Sequence, residues 1–121
     1  MKLRDLSGHF LRLLPDGCYQ QVEALAEADG VIFQCPKCSV GREVGQAPGG
    51  RRFVIGAHHV ICWFTGRVPD DLDPKPGRWT PAGTGLDDLT FVPGEPPRAI
   101  SVLLTGPGCG WHGFVRNGEA E

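Results

Sequence analysis

No run of apolar residues in this chain approaches the roughly 20 that a helix needs to cross a bilayer, so no helical membrane span is expected. Basic surplus is missing too. Twelve Lys and Arg stand against 14 Asp and Glu, a formal net charge of -2, whereas a duplex-DNA binder usually carries a strong positive excess. The opening Met1-Lys2-Leu3-Arg4-Asp5-Leu6 lacks the apolar centre and small-residue cleavage site of a secretory signal, so a cytoplasmic location is expected. Cysteines are few and odd in number, five in all. An odd count fits poorly with a fully paired disulfide framework and better with reduced thiols and a metal site. No phosphate loop, nucleophile elbow or His-Glu-x-x-His helix is present.

What the chain does hold is turn chemistry. Its 18 glycines and 11 prolines make up nearly a quarter of the 121 residues. Apolar residues nevertheless reach 40% and come in short, strand-like runs, enough for one modest core. The expectation is one loop-rich domain over residues 1–121, of the kind that buries little surface per residue and needs a metal or disulfide staple. The expected fold is α+β and mostly β: a small antiparallel sheet with zinc-ribbon-like knuckles and one N-terminal helix.

Residues 1–15 carry Leu3, Leu6, Phe10, Leu11, Leu13 and Leu14, which suit an arm or short helical turn on the core. Asp16 is placed to cap a helix over residues 16–29, with Val22, Leu25 and Ala26 inward and Gly30 as its stop. Strand signals follow at residues 31–35, at 53–64 with a break or bulge at Gly56, at 89–92 and at 100–104. Residues 65–77 and 93–98 are Pro-rich loops. The Asn117-Gly118 pair marks a tight hairpin in the tail. The acids Asp70, Asp71, Asp73, Asp87 and Asp88 sit among turn formers and read as solvated loop residues.

Two cysteine motifs carry the chemistry. Cys35-Pro36-Lys37-Cys38 spaces two thiolates by two residues, which lets both turn towards one ion at about 2.3 Å. Cys109-Gly110-Trp111-His112 repeats that spacing with an imidazole, and Gly108 and Gly110 allow the backbone to fold tightly around it. Together they form a Cys3His set suited to a structural Zn2+. A rival set is Cys35, Cys38, His58 and Cys62, because residues four apart in a strand share a face. Outside that set, His58 lies beside the site and Cys62 is a small core residue. Cys35 and Cys38 can also be read as buried thiols or a redox pair. Cys18 has no partner by spacing.

Several segments are similar to one family. These are Met1-Lys2-Leu3-Arg4-Asp5-Leu6-Ser7, the Cys-Pro-x-Cys knuckle at Cys35, and His58-His59-Val60-Ile61-Cys62-Trp63-Phe64. Gly77-Arg78-Trp79-Thr80, Gly85-Leu86-Asp87-Asp88-Leu89-Thr90 and the Cys-x-Trp-His-Gly motif from Cys109 to Asn117-Gly118 complete them. Across nearly its whole length the chain resembles a family of small tailed-bacteriophage and prophage proteins of unknown function. Some of its members are labelled ammonia monooxygenase. This chain has no membrane span and no copper-type histidine cluster, so its residues do not support that chemistry. The resemblance implies a phage product in the host cytoplasm, with both cysteine motifs sharing one metal. Residues 93–100 depart from the family as an insertion.

Three functions are open on this reading. The first is a protein-interaction module with a closed metal site, its loops presented to a host or phage protein and acting on a host enzyme or defence system. The second is a zinc ribbon for single-stranded nucleic acid, using Arg51, Arg52, Phe53 and the tryptophans Trp63, Trp79 and Trp111. The third is a zinc hydrolase with three protein ligands and a bound water, in which His58, His59, Asp87 and Asp88 are acid–base candidates.

Overall fold

A computed structural model describes residues 1–104 and 109–121. The chain opens with a 3-10 turn at Leu3–Leu6, whose two leucines are fully buried. It then enters β1 (His9–Leu13) and returns as β2 (Tyr19–Val22), in register from Phe10 opposite Val22 to Leu13 opposite Tyr19. The expected helix over residues 16–29 is not formed. Asp16 is a turn residue: its carboxylate accepts the Cys18 N–H at 3.0 Å, and Gly17 takes a positive φ of 88°. Aspartate makes this two-residue-on bond as readily as it caps a helix. The apolar signal was short enough to fit either structure. Val22, Leu25 and Ala28 are buried while Ala26 is exposed, which matches a strand end followed by one 3-10 turn at Leu25–Glu27.

β3 (Gly30–Gln34) pairs with β1 on one side and with β6 (His59–Trp63) on the other. The result is a four-stranded antiparallel sheet in the order β2-β1-β3-β6. Gly30 lies opposite Trp63, and a Cβ there would come within 2.6 Å of the indole. Glycine is therefore what lets this large ring lie over the sheet. α1 (Pro36–Ser39) is a single turn entered through a proline at its first position, where the missing N–H costs nothing.

Between α1 and β6 the chain forms a hairpin of β4 (Val44–Gln46) and β5 (Arg52–Val54). Gly56, at φ 84°, then turns it into β6, so the apolar run over residues 53–64 is broken where the glycine stands. The buried Gln34 amide holds this corner. Its Oε1 accepts the Val54 N–H at 2.7 Å, and its Nε2 donates to the Val54 and Ala57 carbonyls at 2.7 and 3.3 Å.

Arg78 organises the Pro-rich loop that follows β6. Its guanidinium is buried and donates to the carbonyls of Pro69, Asp70, Leu72, Pro74 and Gly77. A second hairpin, β7 (Thr80–Ala82) with β8 (Thr90–Val92), stacks Phe91 on Trp79 with centroids 5.7 Å apart. The last sheet comprises β9 (Ser101–Leu103), β10 (His112–Arg116) and β11 (Glu119–Ala120) in the order β11-β10-β9. Asn117 and Gly118 both have positive φ, 49° and 76°, as a two-residue hairpin turn requires. The N-terminus is sewn to this hairpin, with the Leu3 N–H donating to Gly118 and the Ala120 N–H to Met1.

Buried side chains from the first 3-10 turn and from most of the strands meet in one core, to which β4 and β7 contribute none. Among the described residues no helix is long and apolar enough to cross a membrane.

Gln34→Leu would leave two Val54 groups and one Ala57 carbonyl without their partner. The expected loss is about 3 kcal/mol in denaturant unfolding, and a change below about 1 kcal/mol would rule out this role for the amide.

Candidate metal centre

Strand register brings the first two ligands together. The Cys35 N–H donates to the His58 carbonyl at 2.8 Å, extending the β3–β6 ladder one residue pair beyond Gln34 and His59. The single turn of α1 carries Cys38 back to the same place. That turn is closed by the Ser39 N–H and Oγ, which donate to the Cys35 carbonyl at 3.1 and 2.7 Å. Cys109 arrives from the connection between β9 and β10, and its carbonyl accepts from Lys37 Nζ.

The ligand atoms of Cys35, Cys38, His58 and Cys109 all lie within 4.8 Å of one another. Cys109 Sγ is 3.3 Å from Cys35 Sγ and 3.2 Å from His58 Nε2. Thiolates around a tetrahedral zinc stand about 3.8 Å apart, given a metal–sulfur distance of about 2.3 Å. The group needs only small side-chain shifts to reach that geometry. It can hold a metal ion. Cys35 is buried, Cys38 and Cys109 are half-buried and His58 is exposed, so the group sits at the surface with one thiol anchored inside.

The environment splits the thiols. The hydrogen bond with the His58 imidazole, reinforced by Cys35, lowers the Cys109 pKa to about 6. Burial pushes that of Cys35 up to about 11, and its hydrogen bond to Cys109 adds to the rise. One corner of the group is thus a ready anion at neutral pH, while the buried corner keeps its proton until something displaces it.

His112, expected as the fourth ligand, lies outside this group, and here the set inferred from spacing is corrected. Trp111 takes the inward position, buried edge-on to Phe33 at 6.0 Å. Side chains alternate along extended chain, so the next residue points outward. His112 is exposed, opposite Leu103 and beside the Phe114 ring. Of the rival set, His58 lies in this group and Cys62 does not. His58 precedes β6 and Cys62 lies within it, and four extended residues separate them by about 13 Å, too far for one ion. Cys62 is fully buried opposite Val31, where burial raises its thiol pKa strongly. Cys18 is exposed in its turn. Gly110 has a positive φ of 62°, and Gly108 lies outside the described residues.

The remaining candidates hold structural positions. Asp87 pairs with Arg4, and Asp88 accepts the backbone N–H groups of Thr84 and Gly85, bonds that lower both carboxyl pKa values. Arg51 donates to Gln21, and Arg52 pairs with Asp5 at 3.2 Å. Trp63 and Trp111 are buried, and the Trp79 indole donates to the Ser101 carbonyl, so the first two offer no face for stacking a base.

Comparison with protein-family models, curated proteins and solved structures returns no match. The site must be read from its own geometry.

Two substitutions separate the histidines. His58→Ala should weaken binding of added Zn2+ by more than about 100-fold, a larger loss than removing an outer supporting group causes. His112→Ala should leave it unchanged. The reverse order in competition titrations with a chromogenic chelator would return the fourth corner to His112.

Proposed function

We propose that this chain is a protein-interaction module whose small core is stapled by one structural zinc ion held by Cys35, Cys38, His58 and Cys109. The observation that carries the reading is the meeting of four ligand atoms from three separate chain segments within 4.8 Å. Three thiolates and one imidazole suit zinc and disfavour magnesium or calcium, which take oxygen ligands. Four protein ligands fill a tetrahedral ion and leave no corner for an activated water, so a structural role is favoured over hydrolysis.

The ion would tie α1, the start of β6 and the β9–β10 connection to one point. Structural zinc sites supply on the order of 10 kcal/mol of apparent binding free energy, comparable to the whole stability of a small domain. Such a clamp suits a protein with many short strands and one α-helical turn among its described residues. The placement of Trp63 and Trp111 inside the core favours a protein partner over single-stranded nucleic acid. That the partner is a host or phage protein, met in the host cytoplasm, rests on the family resemblance alone.

The purified chain should carry one zinc per molecule by elemental analysis. A strong chelator, or Cys38→Ser, should abolish its cooperative melt. A metal-free chain with an unchanged melt ends the proposal. Thiolates bind the ion only when deprotonated, so protons compete with zinc. Lowering the pH from 8 towards 5 should therefore release the metal, and the fold should be lost over the same range as the zinc, followed by far-UV circular dichroism.

A further inference from the structure

A cleft of about 1040 Å3 opens directly beside the metal group, with His58 and Cys109 in its lining. It is large enough for a short peptide, since ligand sites commonly measure about 300–1000 Å3. Residues of β6 line one side and residues of β9 another, with Trp79 and the segment before it forming a further wall.

The β6 strand is an edge of its sheet. The Cys35 N–H bonds to His58 and the Phe64 N–H to Asp29, so the even-numbered residues of this stretch face β3. His59, Ile61 and Trp63 consequently turn their N–H and C=O groups away from it. Trp63 and Thr65 are met there by Trp79, whose N–H donates to the Trp63 carbonyl at 3.1 Å and whose carbonyl accepts from Thr65 at 2.8 Å. The outward backbone groups of His59 and Ile61 find no backbone partner among the described residues. Pro74 and Pro76, also in the lining, have no N–H to donate to these groups. The β9 strand is also an edge, and the Leu104 N–H bond to Trp111 turns the backbone of Leu103 away from β10.

Apart from the Cys109 thiol at the metal group, the ionisable side chains lining the cleft are basic. Lys75 and Arg98 are exposed on its rim, and the charge of the buried Arg78 is solvated by backbone carbonyls. No Asp or Glu is found in the described lining. Apolar surface from Ile61, Pro76, Trp79 and the exposed Leu103 fills much of the remainder.

We infer that this cleft binds an extended segment of a partner protein that alternates acidic and apolar residues and adds as a strand to the free edge of β6. The unpaired backbone supplies affinity through main-chain hydrogen bonds, and alternate side chains face the apolar wall and the cationic rim. Single-stranded nucleic acid would use the charge but leave the strand edge unpaired. The inference rests on the reading of the chain as an interaction module, and it names the class of partner.

The test uses the full chain, its zinc content measured separately, and a pool of capped heptapeptides alternating Asp or Glu with Val, Ile or Leu. Binding is read by fluorescence anisotropy and by amide NMR shifts. At least one peptide should bind and move the His59, Ile61 and Leu103 amides. Replacing its acids by Lys, or combining Lys75→Glu with Arg98→Glu in the protein, should weaken it about tenfold or more, as for clustered charge contacts. Backbone N-methylation of the peptide at alternate residues should abolish binding.

Absence of any binding in the pool would overturn the inference, as would indifference to N-methylation. A (dT)12 oligonucleotide that moves the same amides while the peptides do not would assign the cleft to nucleic acid. A zinc-free chain that still binds peptide would retain this inference and remove only the metal.

Discussion

The antiparallel register of β3 against β6 is the constraint on which the rest of the structure depends. It sets Cys35 beside His58, and so joins two ligands that are far apart in the chain. The same register faces Gly30 with Trp63, which allows the indole to lie flat on the sheet. It also aims Gln34 at the corner between β5 and β6, where its amide holds the backbone just ahead of His58. A one-residue slip would turn every side chain of β6 to the opposite face. Val60 and Cys62 would leave the core, and His58 would point away from the thiols.

A surface site built this way combines a rigid half with an exposed half. Cys35 is buried at the end of a central strand, and Cys38 is carried by a turn that begins with proline and closes through Ser39. His58 and Cys109 lie outside, in contact with each other at 3.2 Å. The electrostatics follow that division. Burial keeps the inner thiol protonated in the ion-free state, while the imidazole stabilises the outer thiolate. A cation taken up under the proposed reading would bind the outer thiolate and displace the proton of the buried thiol. The outer half borders the cleft, so the proposed staple and the proposed docking groove share residues.

Local chemistry was readable where one short motif decides it. The Asn117-Gly118 turn, the break at Gly56 and the Cys-x2-Cys knuckle all formed as their residues imply, because each depends on backbone preferences within a few positions. The segment over residues 16–29 failed for a related reason. Asp16 and three apolar residues satisfy a helix cap and a turn before a strand equally well, and pairing with β1 settles the competition in favour of the strand.

From the amino-acid order alone came a Gly- and Pro-rich, mostly β chain, and three of the four residues now grouped at the candidate metal centre. Which histidine joins those three could not be decided there. Spacing favoured His112 because it repeats the two-residue gap, but the space inside is taken by Trp111, whose packing against Phe33 forces its neighbour outward. His58 stood only in the rival set, beside Cys62 and without Cys109. Its place next to Cys35 follows from a hydrogen-bond register between strands separated by a hairpin, which is fixed when the core closes around Phe33, Val60 and Cys62. Folding chooses among ligands of similar chemistry through long-range packing, and local spacing carries no record of that choice.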